Sequence, residues 1–262
     1  MANIRVFTFN MRTDAPSDGV NWFSGERSEY IKKEFPKYGA DLIGCQETTP
    51  CMRQWLIDHF PEYEICGMGR ETDLQGESNV ACFRRDKFDL VTLDQFWLSD
   101  TPCIPGSRFH TDQSECPRIC MVLTLRCKAN GRLFRYYNTH LDHAGELAQA
   151  QGMSLILARM TRDYGALQIP VILTGDLNIT PESKTYRSLV GFNGCGTPLR
   201  DLTTEVGPTL HDYTPETVQA KIDYIFTNLP HDPSKTLKAT DHDDAGHYLS
   251  DHYPVGAEII LD

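Results

Sequence analysis

Short apolar segments with a two-residue period recur along the chain: IRVFTFN, DLIGCQE, NVACFRR, FDLVTLDQFWL, RICMVLTLRC, LFRYYNTHLD, VILTGDLN, KIDYIFTN and VGAEIIL. That period marks β-strands. In RICMVLTLRC, Val122, Thr124 and Arg126 stand opposite Met121, Leu123 and Leu125, which predicts strands packed on one side. KANGR, Lys128 to Arg132, sets an Asn-Gly pair between two such segments and predicts a tight antiparallel hairpin.

Helical periods lie between the strands. Thr49 before Pro50 joins a cap to a proline at the first helical position, and Met52, Leu56 and Phe60 follow on one face. Thr180 before Pro181 repeats that start. GELAQAQGMSLILARMTRDYG carries an apolar stripe of Leu147, Met153, Ile156, Leu157 and Met160, and ERSEYIKKEFPKYG one of Ile31, Phe35 and Tyr38. Many strands mixed with few helices predict a layered α/β sandwich.

Composition narrows the class. At 262 residues the chain has the length for one domain or two; it contains no linker-like stretch, charge block or repeat, so a single domain over residues 1–262 is expected. Hydrophobic residues make up 40% and charged residues 23%, with no apolar run near the ~20 residues of a membrane helix. The balance of 25 basic against 36 acidic residues gives −11, which disfavours polyanions such as nucleic acid. Nine cysteines, with Cys116 and Cys120 off the C-x-x-C spacing, read as reduced, mostly core thiols. The N-terminal MANIRVFTFN lacks an export-signal pattern, so a cytoplasmic protein is expected from the sequence as given; a signal already removed would leave no trace. A monomer is expected.

The chemistry stands at the ends of the apolar runs. IRVFTFN finishes in Asn10, DLIGCQE in Glu47, RYYNTHLD in His140 and Asp142, and VILTGDLN in Asp176 and Asn178. Asp223 opens DYIF, and Asp251 and His252 precede the last strand. Such hard oxygen donors without a thiolate cluster suit Mg²⁺, with Mn²⁺ as substitute, and magnesium fills its octahedron with water and substrate phosphate. Phosphate esters are the matching substrates.

The motifs FTFNMR, GCQET, NTHLDH, TGDLN, KIDYIF and SDHYPV, in this order along the chain, resemble the endonuclease/exonuclease/phosphatase superfamily with the deoxyribonuclease I-like fold. FWLSDTPCIPGS followed by CPRI looks like a bacterial subgroup of small, stand-alone members. The resemblance implies a four-layer α/β sandwich, two packed mixed β-sheets flanked by helices, with the site at one edge. It makes Glu47 the principal magnesium ligand, with Asn10 and Asp251 near the metal or the hydrolytic water. Asp176 would orient or deprotonate that water, and Asn178 would hold the phosphate. His252, oriented by Asp223, would contact the phosphate; His140 would be a second contact or a proton donor to the leaving oxygen. The base stays open between Asp176 and His252. Arg118, in CPRI, is a candidate substrate contact. Arg12 stands where some nucleases of the superfamily carry an acidic residue, and is a second one.

The expectation is a Mg²⁺-dependent phosphoesterase acting on a small phosphodiester or phosphomonoester by in-line attack of water. A metal-dependent endo- or exonuclease is the alternative, which a local basic face of Arg84, Arg85, Arg118, Lys128, Arg132 and Arg135 would favour. An inactive binding module of the same fold is the second, and no position of the constellation is vacant. Phe96, Trp97 and Cys45 read as core, Asp142 and His143 as loop partners, and DHDDAGH as a solvated loop.

Overall fold

The alternating segments form two six-stranded sheets in the computed structural model, which describes residues 2–261. The first contains β1 (Ala2–Asn10), β2 (Leu42–Thr48), β3 (Tyr63–Cys66), β4 (Ser78–Arg84), β11 (His231–Lys238) and β12 (Val255–Leu261), ordered β11-β12-β1-β2-β4-β3. The second contains β5 (Phe88–Trp97), β6 (Ile119–Cys127), β7 (Leu133–His140), β8 (Val171–Asp176), β9 (Arg200–Asp201) and β10 (Asp223–Thr227), ordered β5-β6-β7-β8-β10-β9. Both sheets are mixed: β1 and β2 run parallel, as do β7 and β8, among antiparallel neighbours. Helices α1 (Ser28–Glu34) and α2 (Pro50–His59) cover the outer face of the first sheet, packing Ile31, Met52 and Leu56 on Phe7, Phe9 and Ile43. Helices α3 (Glu146–Ala166) and α4 (Lys184–Leu189) cover the second, with Met153, Ile156, Met160 and Leu189 against Tyr137, Leu173 and Phe226. The α/β class and the four layers are as the motifs imply.

The inner faces of the sheets are graded along the strands. In β1 the inward positions run Ile4, Val6, Thr8, Asn10; in β7 they run Phe134, Tyr136, Asn138, His140; in β8, Ile172, Thr174, Asp176. Side chains alternate with period two, so each strand brings apolar groups to the core at one end and polar groups at the other. Midway lies a buried polar network. Gln46 Nε2 donates to Asn138 Oδ1 at 2.7 Å, and Asn138 Nδ2 donates to the Cys45 and Val80 carbonyls at 2.9 and 3.0 Å. Thr174 Oγ1 donates to Asn138 Oδ1 at 3.1 Å and lies 2.5 Å from Tyr136 Oη.

Five expectations change. β6 is buried on both faces, since Val122 packs with the helix layer and Thr124 bonds Thr92 while Met121, Leu123 and Leu125 meet the other sheet; only Arg126 reaches solvent. The helix expected after Thr180–Pro181 starts at Lys184, because Ser183 Oγ accepts the Tyr186 N–H at 3.0 Å and caps it there. Leu147 leaves the α3 stripe, being 52% exposed, and KANGR closes a five-residue loop with Gly131 in the left-handed region at φ +72. Tyr38 falls beyond α1, which gives way to a 3₁₀ turn around Pro36.

Gly44 on β2 faces the polar network, and a Cβ there would overlap Tyr136 Oη, Thr174 Oγ1 and Asn138 Oδ1. Overpacking plus disturbed buried hydrogen bonds costs roughly 3 kcal/mol. Gly44→Ala is therefore expected to lose about that much stability in urea unfolding, and a loss below ~0.5 kcal/mol would contradict the close sheet approach.

Candidate active site

Strand pairing assembles one row of site residues. The parallel register of β7 with β8 sets His140 beside Asp176, and the antiparallel register of β8 with β10 sets Asp176 beside Asp223. From the facing sheet β1 supplies Asn10. Glu47 follows Gln46, an inward residue, and by simple alternation would point away. A register irregularity between Cys45 and Thr48 and a left-handed backbone at Glu47, φ +56, turn it inward. Arg12 and Asn178 share that conformation, at φ +51 and +50. Asp251 and His252 arrive on the turn before β12.

These side chains face one cleft of about 300 Å³, lined by Arg12, Glu47, Arg70, Glu77, Arg118, His140, Asp176, Asn178, Asp251 and His252. Asn10 is at its floor: Nδ2 donates to Glu47 Oε1 and to Asp176 Oδ2, both at 2.9 Å. Glu47 Oε2 accepts the Thr13 N–H at 3.0 Å. Asp176 Oδ1 accepts the Asn178 N–H at 3.0 Å, and His140 Nε2 lies 3.5 Å from Asp176 Oδ2. Asn178 Nδ2 donates to the Leu141 carbonyl at 3.1 Å. His252 Nδ1 donates to Asp223 Oδ2 at 2.9 Å, leaving Nε2 directed at Asp176 Oδ2, 3.8 Å away.

Burial splits the titratable groups. It pushes Asp176 up to about 7, helped by the Asp223 charge, and raises Asp251 as well. Burial also lowers His140 well below the usual histidine value, reinforced by the Arg118 charge, so His140 is neutral near pH 7. For His252 the desolvation is outweighed by Asp223, as charge and hydrogen-bond acceptor, and the imidazole is held well above 6.5.

The two arginines differ. Arg12 lines the cleft and is held by Asp18 through two hydrogen bonds, at 3.0 and 3.1 Å, with Asp251 at 3.7 Å. Arg118 is 4% exposed, donates from Nη2 to His143 Nδ1 at 2.8 Å, and leaves Nε and Nη1 without hydrogen-bond partners. Asp142 builds the adjoining turn by accepting from Ser114, Ala144 and Gly145. Arg70 and Glu77 were not anticipated. They lie on the turn between β3 and β4, paired Nη1 to Oε2 at 2.8 Å, and their one sequence signal is the glycine spacing of GMGRETDLQGES. Phe96, Trp97 and Cys45 are buried, as read.

The donor set fits a hard divalent cation. Carboxylates of Glu47, Asp176 and Asp251 crowd one cleft with an amide, and Glu47, His140 and Asp176 each present a ligand atom within 4.8 Å of the others.

The two packed mixed sheets with their helices match the fold of endonuclease/exonuclease/phosphatase proteins, hydrolases acting on phosphate esters. The model of the endonuclease/exonuclease/phosphatase family matches residues 7–252, and the chain belongs to that family, whose members are generally dependent on divalent metals. An endonuclease/exonuclease/phosphatase from Bacteroides vulgatus is similar over 100% of both chains, at 29% identity and TM-score 0.86. A mannosyl-6-phosphatase from Bacteroides thetaiotaomicron is 25% identical over 98% of this chain and 100% of that one, with TM-score 0.81. Danio rerio TDP2, solved with a single-stranded DNA product, shares the fold at 15% identity and TM-score 0.75 over 100% of both chains. No curated protein matches the chain.

Because the native His252 pKa lies above its unfolded value of 6.5, the His252–Asp223 pair stabilises fully below 6.5, and the contribution fades as pH rises through the native midpoint. In metal-free protein followed by NMR, His252 should remain protonated above pH 6.5, and Asp223→Asn should move its midpoint down. An unshifted midpoint would disprove the pairing.

Proposed function

We propose that this chain is a Mg²⁺-dependent phosphoesterase that hydrolyses a small phosphate ester, mono- or diester, by in-line attack of water. The observation that carries the reading is that one cleft combines carboxylates with positively charged donors. Glu47, Asp176 and Asp251 are the carboxylates; Arg118, with two unpaired N–H groups, and the charged His252 are the donors. Phosphoryl transfer needs both: carboxylates for metal and water, donors for the phosphoryl oxygens.

In this reading Glu47, Asn10 and Asp251 hold Mg²⁺, or Mn²⁺ in its place. When bound, the ion supplies Lewis-acid polarisation of a phosphoryl oxygen. Asp176, with its pKa near 7, takes the proton of the attacking water. A cationic His252 has no free lone pair at Nε2, which removes it as base and makes it a donor to phosphate. His140, neutral, donates an N–H to a phosphoryl or leaving oxygen, and Asn178 and Arg118 steady the phosphate. Arg12 tethers Asp251 instead of binding substrate.

The substrate is small because most of the basic face a nuclease needs is neutralised. Arg84 pairs with Asp86, Arg85 with Glu64, Lys128 with Asp89 and Arg135 with Asp163, while Arg118 faces the cleft. Together with −11 overall, that leaves little to grip a long polyanion. The mannosyl-6-phosphatase relative supports a small phosphomonoester. No described helix is long and apolar enough to cross a membrane.

Nitrophenyl phosphate and bis-nitrophenyl phosphate assayed with Mg²⁺ or Mn²⁺ test the reading. EDTA is expected to abolish turnover of the preferred one, and Glu47→Gln and Asp176→Asn are each expected to lower kcat by about 10²–10⁴ with unchanged circular dichroism. Turnover surviving in EDTA or in both variants rules the mechanism out.

A further inference from the structure

The cleft continues past Asn178. A groove of about 870 Å³ between the N-terminal half of α3 and the turn entering α4 shares Asn178 and His143 with it. Gln149 ties the two together, donating from Nε2 to the Asn178 carbonyl at 3.0 Å and to the Asp142 carbonyl at 2.8 Å. We propose that this groove is the subsite for the organic part of the ester, and that the group it takes is an uncharged polyol, so that the substrate is a sugar or polyol phosphate. The inference rests on the phosphoesterase reading and names its substrate class.

The lining carries the argument by what it offers and what it withholds. Glu146, Glu182 and Thr180 line the groove with carboxylate and hydroxyl oxygens, the acceptors that ring hydroxyls require. Asp112, Glu146 and Glu182 outnumber Lys184 and Arg187 in the lining, so the groove has no net positive charge to attract a second phosphate or a nucleic-acid backbone. No Phe, Tyr or Trp ring lines it, so a nucleobase finds only the His143 imidazole for the stacking worth about 1–3 kcal/mol per base. Its apolar surface comes from Leu147, which is 52% exposed, with Ala144, Ala150 and Ile179, and gives the C–H face of a pyranose a place to pack. A site that hydrogen-bonds hydroxyls rejects analogues lacking them far more strongly than an apolar pocket rejects a missing methylene.

The test compares kcat/KM for hexose 6-phosphate and glycerol phosphate with that for ethyl phosphate, whose leaving alcohol is of similar basicity but has no further hydroxyls; a nucleoside monophosphate and a short-chain phosphatidic acid complete the set. Wild-type protein with Mg²⁺ is expected to favour the hexose or glycerol ester over ethyl phosphate at least tenfold. Glu146→Ala/Glu182→Ala should cut that ratio by tenfold or more. A ratio near one, a ratio unmoved in the variant, or preference for the nucleotide or the lipid overturns the subsite while leaving the phosphoesterase reading intact. No hydrolysis of any ester, nitrophenyl phosphate included, removes both.

Discussion

A hydrogen-bond network buried between two β-sheets sets the geometry of this molecule. Gln46 from one sheet and Asn138, Thr174 and Tyr136 from the other bond across the interface, and Gly44 lets them close by having no side chain. Polar groups taken out of water cost several kcal/mol unless paired, so few relative positions of the sheets satisfy this set. Apolar layers on their own tolerate sliding; the network selects one register. Carried one residue pair further along the strands, that register sets Asn10 and Glu47 against Asp176.

The site is the continuation of the same gradient, in which desolvation grips charged groups instead of amides. Asp176 is raised because it is buried beside Asp223, and His252 stays charged because the Asp223 carboxylate accepts the hydrogen bond from its Nδ1–H. Backbone strain is concentrated here too: Arg12, Glu47 and Asn178 are non-glycine residues in the left-handed region. Arg27 helps to hold the first of them. It is fully buried, and its guanidinium donates to the carbonyls of Met11, Arg12 and Thr13, anchoring the segment that leaves β1.

Much of this was readable from residue order, for a physical reason. A strand buried on one or both faces must alternate or run apolar, and where it stops doing so, at Asn10, His140, Asp176 or Asp223, the sequence marks the edge of the core. Members of the constellation on such strands were therefore exposed to inspection. Arg70 and Glu77 were not, because they sit on a turn whose shape depends on backbone bonds such as Arg70 N to the Glu77 carbonyl rather than on any period. The same applies to Arg12: its capture by Asp18, six residues on, depends on an irregular turn. Edge strands such as the two-residue β9 and the Pro233-containing β11 carry too weak an alternation to be read, and the groove beside α3 exists only once helix and turn are packed.

The claim on which the account stands is that carboxylates from both sheets converge to hold one divalent cation against phosphate. Anomalous diffraction from a crystal of the protein soaked in Mn²⁺ tests it without reference to turnover. The account predicts a manganese peak within bonding distance of a Glu47 carboxylate oxygen, lost in Glu47→Gln. A cleft free of anomalous signal at saturating Mn²⁺, or a peak that persists in the variant, would contradict it.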